Sequence, residues 1–225
     1  MISVKSTELQ LLRKGFYCYT IIYSMYFTPR IDEAIKLAAR LHRNQTRKDV
    51  GLTPYISHLV SVGMMLGQTT EDEEIIIAGL MHDSLEDVPN YTYENLVTDC
   101  GARVAEIVKY VTEPLDANKM DNEQLPWLIR KEEYLNNLRL GGVESAMVSA
   151  ADKIHNSESF IADVGQEKEV FLSRFGSSLR NKLWFHEQVL AIVQEKLGDG
   201  HTLTLRLASS NKSFETLVVA QEKNF

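Results

Sequence analysis

The 225-residue chain is 44% hydrophobic and 24% charged, ordinary values for a globular protein long enough to bury a substantial core. Its 31 acidic residues outnumber its 24 basic ones, for a formal charge of −7; this argues against a general nucleic-acid binder and leaves room only for a local basic pocket for a small polyanion. The two cysteines, Cys18 and Cys100, make no disulfide framework and match no metal-ligand spacing, so a reducing, cytoplasmic setting is the simplest reading.

In chain order, the apolar stretch GFYCYTIIYSMYF (15–27) comes first. It is too short to span a bilayer and no small-residue cleavage site follows it. It reads as a buried or docking segment, or as an extension upstream of a start at Met25, and residues 1–27 are set apart on that ground. TPRIDEAIKLAARLHRNQ then offers a cap-like Thr28, a proline at the next position, first-turn acids, and Ile31, Ala34, Ile35, Ala38 and Leu41 at helical spacing. A polar turn with Gly51 and Pro54 leads to a helix through Ile56, Leu59, Val60, Met64 and Met65, the two methionines read as core packing. TTEDEEIIIAGLMHDSLED opens on a hydroxyl cap and acids, runs apolar, and is stopped by Pro89. Two short helices broken at Gly101, a helix over EQLPWLIRKEEYLNNLRL ending at Gly141-Gly142, a long buried helix from Val143, and another ended by GDG follow. The tail, 199–225, reads as a helix or a small hairpin, because Thr, Leu and Val partly alternate. The expectation is an all-α single domain over 28–198 with a C-terminal extension.

The chemistry gathers in MHDSLED. On a helix, His82 and Glu86 are four apart, as are Asp83 and Asp87, so an imidazole and three carboxylates share one neighbourhood. Carboxylates so close repel unless a positive charge sits among them, and a divalent cation is the economical one; His and Asp together suit Mn, Fe or Zn. His58, midway along the preceding helix, and Asp152, an acid set among small apolar residues in SAADKIHN, are candidates to complete the shell, with Asn156 one turn further on the same face.

The blocks RKDVGLTPYISH, HDSLED and ADKIHN, in this order and spacing, resemble the HD-domain hydrolases of the RelA/SpoT type, above all the free-standing small alarmone hydrolases, over about residues 29–195. The resemblance implies an HD-domain helical bundle in which His58, His82, Asp83 and Asp152 hold one Mn2+ ion and Glu86 and Asp87 serve the attacking water. It also implies that Arg47, Lys48 and Tyr55 hold a nucleotide and that Asn156 lies near its ribose or base. The implied reaction removes the 3′-pyrophosphate of ppGpp or pppGpp, and the implied partners are that small nucleotide and, functionally, a separate alarmone synthetase. Two departures stand out: Leu59 where the family usually has proline, and no tyrosine in NKLWFHEQ, where Trp184 or Phe185 could substitute. His42 reads as structural or as backing the site, while His155, His186 and His201 are left out. An HD phosphohydrolase acting on NADPH or a nucleoside monophosphate, and a non-enzymatic nucleotide sensor, are the competing readings.

Overall fold

The computed structural model describes residues 27–49, 51–113, 126–172 and 179–222, with side chains placed to 164 in the third stretch and to 220 in the last. The apolar N-terminal stretch up to residue 26, Cys18, and residues 123–125 of the helix expected from Glu123 lie outside the described residues. Those described are helical, with one isolated antiparallel bridge between Thr46 and Pro54 that pins the turn after the first helix. The helices are α1 (Pro29–Leu41), α2 (Ile56–Gly67), α3 (Glu73–Met81), α4 (Ser84–Asp87), α5 (Tyr93–Cys100), α6 (Ala102–Lys109), α7 (Trp127–Leu140), α8 (Val143–Leu172), α9 (Leu179–Leu197) and α10 (Thr202–Glu222). None of the described helices is long and apolar enough to cross a membrane.

Local chemistry explains most of the boundaries. Thr28 caps α1, its hydroxyl accepting from the Ile31 N–H at 3.2 Å, with Pro29 in the first turn where no amide is needed. Gly101, at φ 101°, supplies the left-handed backbone that separates α5 from α6. The cap of α3 differs from expectation. Asp72, rather than a threonine hydroxyl, accepts from the Glu74 N–H at 3.1 Å, while Thr70 accepts from the Asp72 N–H at 3.0 Å.

Helix α3 is the centre. Every residue from Ile75 to Met81 is buried, which only a helix wrapped on all sides can satisfy, and α1, α2, α6 and α8 pack around it. Its approach to α2 runs through two glycines. A Cβ on Gly79 would stand 2.3 Å from Leu66 Cδ1, and one on Gly63 would stand 2.9 Å from Leu80 Cδ2; both leucines are buried and have nowhere to retreat. Gly79→Ala is therefore expected to destabilise the fold by about 1–3 kcal/mol through overpacking, read as a lower denaturation midpoint. An unchanged midpoint would show that α2 and α3 can part without loss.

Of the methionine pair, Met65 is buried but Met64 is 47% exposed, because neighbours on a helix point about 100° apart and cannot both face one core. The tail is a helix. Leu203, Leu207, Ser210, Phe214 and Val218 are buried at steps of three and four, and Leu205, which an alternating strand would bury with Leu203 and Leu207, is 59% exposed. Helix α10 packs on α8 and α9, where Phe160, Val164, Leu183, Phe214 and Val218 form a second, smaller core.

Candidate metal centre and adjoining cavity

Three helices bring four side chains to one point. His58 comes from the buried face of α2, His82 and Asp83 from the turn that ends α3, and Asp152 from the middle of α8. The His58 and His82 Nε2 atoms are 3.3 Å apart. Asp83 Oδ2 lies 3.1 Å from His82 Nε2 and 3.6 Å from His58 Nε2, and Asp152 Oδ1 lies 3.2 Å from His58 Nε2 and 3.5 Å from His82 Nε2. The ligand atoms of His58, His82 and Asp83 all fall within 4.8 Å of one another. Donors held about 2.1 Å from a shared ion stand roughly 3.0–3.4 Å apart at adjacent coordination positions, so these spacings fit one divalent metal ion.

The turn itself departs from expectation, since a single helix does not run through 81–87. His82 Nδ1 lies 2.8 Å from the Gly79 carbonyl, the acceptor that the Asp83 N–H of a continuous helix would use, and the helix breaks there before α4 resumes it. The same contact leaves the His82 Nε2 lone pair facing the cluster. His58 is oriented likewise, its Nδ1 2.8 Å from His155 Nδ1. Burial, then the His58 and Arg47 charges, pull the His155 imidazole down to about 4, so it is neutral and able to accept from the His58 Nδ1–H.

The charges demand a cation. Burial opposes ionisation of Asp83 and Asp152, but His82 and His58 hold the first below the usual carboxylate range, and Lys153 with the two histidines holds the second there. Burial likewise opposes a charge on His82, yet Asp83 and Asp152 carry its imidazole well above the ordinary value. A divalent ion held by the same four residues would supply the positive charge that these carboxylates favour.

A chain of polar contacts leads out of the cluster. Asn156 Nδ2 donates to Asp152 Oδ1 at 2.5 Å, and Arg47 Nη2 donates to Asn156 Oδ1 at 2.8 Å. Lys153 donates to Asp152 Oδ2 at 2.5 Å, and the Tyr55 hydroxyl donates to Asp83 Oδ2 at 2.7 Å. The Arg47 guanidinium sits 5.6 Å from the Tyr55 ring centroid, and His42 stacks on the same ring at 5.4 Å. Glu86 and Asp87 diverge. Glu86 is turned inward, its Oε2 accepting from the Glu113 N–H at 3.3 Å, and burial followed by the charges of Glu113, Asp83 and Asp87 raises its carboxyl to about 7. Asp87 opens onto the cavity, where partial burial and Asp83 raise its carboxyl.

That cavity, about 400 Å³, adjoins the cluster and is basic. Arg47, Lys48, Lys131, Lys153 and Lys182 line it, with Asp49, Asp87 and Asp163 among them and Tyr55, Trp127, Phe160, Phe185 and Phe214 supplying flat walls. Lys131 donates to Glu113, and the Lys131 and Lys153 ammonium groups lie 4.7 and 5.3 Å from the Phe185 ring centroid. Of the two aromatic residues weighed from the sequence, Phe185 faces the cavity, while Trp184 packs against Trp127 with ring centroids 6.3 Å apart. All ten residues singled out from the sequence thus lie in the cluster, on its inner edge or on the cavity wall. His155, Lys153, Lys131, Glu113 and His186 were not among them. Lys153 could not be found by spacing, because adjacent residues on a helix point about 100° apart; His155 adjoins Asn156 and so reads as pointing elsewhere, yet its step of three from Asp152 keeps it near that face.

A family model described as HD domain matches residues 34–177, the stretch that carries all four clustered side chains. Guanosine-3′,5′-bis(diphosphate) 3′-pyrophosphohydrolase MESH1 of Danio rerio is 36% identical over 126 residues, 55% of this chain and 65% of that protein. The Homo sapiens MESH1 is 34% identical over 126 residues, with the same coverage of 55% and 65%. The chain thus spans just under two thirds of the length of these relatives. Among solved structures, a metazoan ortholog of SpoT, described as hydrolysing ppGpp with a role in starvation responses, superposes with a TM-score of 0.64 at 22% identity, over 84% of this chain and 97% of that one, and shares the fold. The lmo0812 protein of Listeria monocytogenes EGD-e superposes with a TM-score of 0.57 at 26% identity, over 72% of this chain and 97% of that one.

Proposed function

The chain belongs to the HD-domain family, and from that premise we propose that it is a Mn2+-dependent hydrolase that removes the 3′-pyrophosphate of ppGpp or pppGpp, giving GDP or GTP and pyrophosphate. The observation that carries this reading is the contact chain Arg47–Asn156–Asp152, which ties a cavity lined by five cationic side chains directly to a His/Asp metal cluster. A polyphosphate entering that cavity meets the metal at one end of the chain and a guanidinium at the other. The pyrophosphohydrolase named in the MESH1 relatives has such a substrate.

His58, His82, Asp83 and Asp152 are assigned as the ligands. When bound, the divalent ion lowers the pKa of a water and polarises a phosphoryl oxygen. The protein's residues do the rest. Glu86, ionised, takes the proton of the water that attacks the phosphorus attached to the ribose 3′-oxygen, and Asp87 orients that water from the cavity side. The bond between that phosphorus and the 3′-oxygen breaks, and the proton that Glu86 took from the water, returned directly or through solvent, completes the 3′-hydroxyl as free pyrophosphate leaves. Lys131 and Lys153 stand where the departing charge gathers. Arg47 presents its fork to a phosphate or its flat face to the base, Lys48 adds a point charge, Tyr55 holds Asp83, and Asn156 fixes the ribose side. The hydrolase unit is assigned to 28–198 and the extension to 199–225, of which Phe214 lines the cavity. A cytoplasmic setting and a functional pairing with an alarmone synthetase complete the reading.

The test is pyrophosphate release from ppGpp with added Mn2+, run beside NADPH and nucleoside monophosphates. Fast Mn2+-dependent release from ppGpp is expected. Turnover confined to another nucleotide would keep the metal centre and overturn the substrate.

A further inference from the structure

His42 ends α1 outside the metal cluster and outside the residues that line the cavity, yet it is only 2% exposed. Its two ring nitrogens have different surroundings. Nδ1 lies 2.6 Å from Gln45 Oε1. The Gln45 side-chain nitrogen donates to the Asp87 carbonyl at 2.6 Å, which fixes the amide with its oxygen toward the imidazole. In the neutral ring Nδ1 therefore carries the proton and Nε2 the lone pair. Nε2 is buried and has no hydrogen-bond partner among the described residues. A buried acceptor left unmatched costs about 1–3 kcal/mol, so a donor from outside the chain is called for. The neighbours of the ring belong to the site. It stacks on Tyr55 with the two planes 17° apart, and the Gln45 carbonyl accepts from the Tyr55 N–H at 3.0 Å. Asp87 lies within its electrostatic reach. Burial, then Asp83, raise the Asp87 carboxyl, while the Tyr55 hydroxyl and His42 act the other way. An ionised carboxylate and an imidazole lone pair are both acceptors and cannot bond to each other, but a water donates twice and joins them.

We propose that His42 is a positioning residue for Asp87: a buried water donates one hydrogen to His42 Nε2 and the other to the Asp87 carboxylate, and so aims the carboxylate that orients the attacking water. The inference rests on the pyrophosphohydrolase reading, in which Asp87 faces that water. Asp87 is then held twice, its backbone by Gln45 and its carboxylate through His42. His42 itself touches neither nucleotide nor metal, so losing its Nε2 costs alignment and leaves both affinities in place.

Two measurements on the full chain test it. The first is steady-state pyrophosphate release from ppGpp with Mn2+ for three variants. His42→Phe keeps a ring on Tyr55 and removes both nitrogens, His42→Asn keeps a donor near the place of Nδ1, and His42→Gln keeps an acceptor near the place of Nε2. His42→Phe and His42→Asn are expected to lose about 10–100-fold in kcat, the scale of a misaligned catalytic group, with KM and Mn2+ affinity within about twofold of the wild type. His42→Gln is expected to recover kcat to within about threefold, the scale of one neutral hydrogen bond. Recovery by His42→Asn instead, equal losses in His42→Asn and His42→Gln, or full activity in His42→Phe overturns the role of Nε2. The second measurement needs no turnover and no substitution of His42. In the metal-free, nitrogen-labelled protein, NMR correlation of ring nitrogens with ring protons is expected to show His42 protonated at Nδ1 and bare at Nε2, with an Nε2 resonance that moves in Asp87→Ala. A ring protonated at Nε2, or a resonance indifferent to Asp87→Ala, overturns the proposal. If the wild type releases no pyrophosphate from ppGpp or pppGpp, the pyrophosphohydrolase reading fails, and the Nε2 resonance alone decides whether His42 and Asp87 are joined.

Discussion

Asp83→Ala is expected to lose its metal and, with it, at least about a thousandfold in pyrophosphate release, since metal activation of water and phosphoryl oxygen is worth several kcal/mol. Asp83 is singled out because one oxygen serves three partners. Its Oδ2 lies 3.1 Å from His82 Nε2 and 3.6 Å from His58 Nε2, and it accepts from the Tyr55 hydroxyl at 2.7 Å. Removing it takes away a donor atom and half the negative charge that favours a cation, and leaves the Tyr55 hydroxyl without that acceptor. Asp83→Asn, which preserves volume but not charge, should fail nearly as badly. Titration of Mn2+ into the purified variants, beside circular dichroism to show that the helices persist, separates lost metal from lost fold. A folded Asp83→Ala protein that binds Mn2+ like the wild type would remove Asp83 from the ligand set.

Glu86→Gln is expected to cost about 10²–10⁴ in kcat, the usual contribution of a general base, while Mn2+ affinity stays near that of the wild type. The pH dependence supplies the sharper signature. Burial, then Glu113, Asp83 and Asp87, lift the Glu86 carboxyl to about 7 in the protein alone. A base works in its ionised form, so kcat of the wild type rises with pH through the Glu86 pKa and is lost as pH falls below it. A cation in the cluster favours the carboxylate and moves that limb down, so its midpoint lies at or below about 7. In Glu86→Gln the limb should vanish and leave a low, flat profile. In Glu113→Gln, which removes the strongest of the charges that lift Glu86, it should shift to lower pH with kcat largely kept. A Glu86→Gln variant that retains both kcat and the limb would pass the role of base to Asp87.

The parts of this molecule legible in the sequence are those governed by local rules or by spacing within one element. The Thr28 cap, the Gly101 break and the periodic faces of α1, α2 and α8 follow from propensity, φ and burial within a few turns. His82 and Asp83 were visible because charge at the end of a buried apolar run is costly, and Asp152 because an acid among alanines needs a partner. What escaped is tertiary. The break at His82 depends on its ring reaching back to the Gly79 carbonyl, a rotamer that no pattern encodes. Thr, Leu and Val alternate in the tail as in a strand, and only the apolar surface of α8 and α9 selects the helix. Lys131, Lys182 and Phe214 line one cavity through the packing of α7, α9 and α10, and Glu113 joins them through Lys131; no spacing rule within one element links these positions. Phe185 was seen as a possible wall residue, but only its place on α9 distinguishes it from Trp184.

The four clustered side chains come from three helices that α3 holds together, and an unfolded chain has no reason to keep them within a few ångströms of one another. An ion that joins them therefore acts as a cross-link, closing the chain between α2, α3 and α8 much as a covalent bridge would. Its binding free energy is then folding free energy. At a free concentration a hundredfold above its dissociation constant it adds about 2.7 kcal/mol to the native state, which is comparable to the overpacking cost of a methyl group between α2 and α3. A protein with two cysteines and no disulfide framework would thus have, in a bound divalent ion, a staple that it can lose, and its resistance to heat and proteolysis is expected to follow the supply of that ion.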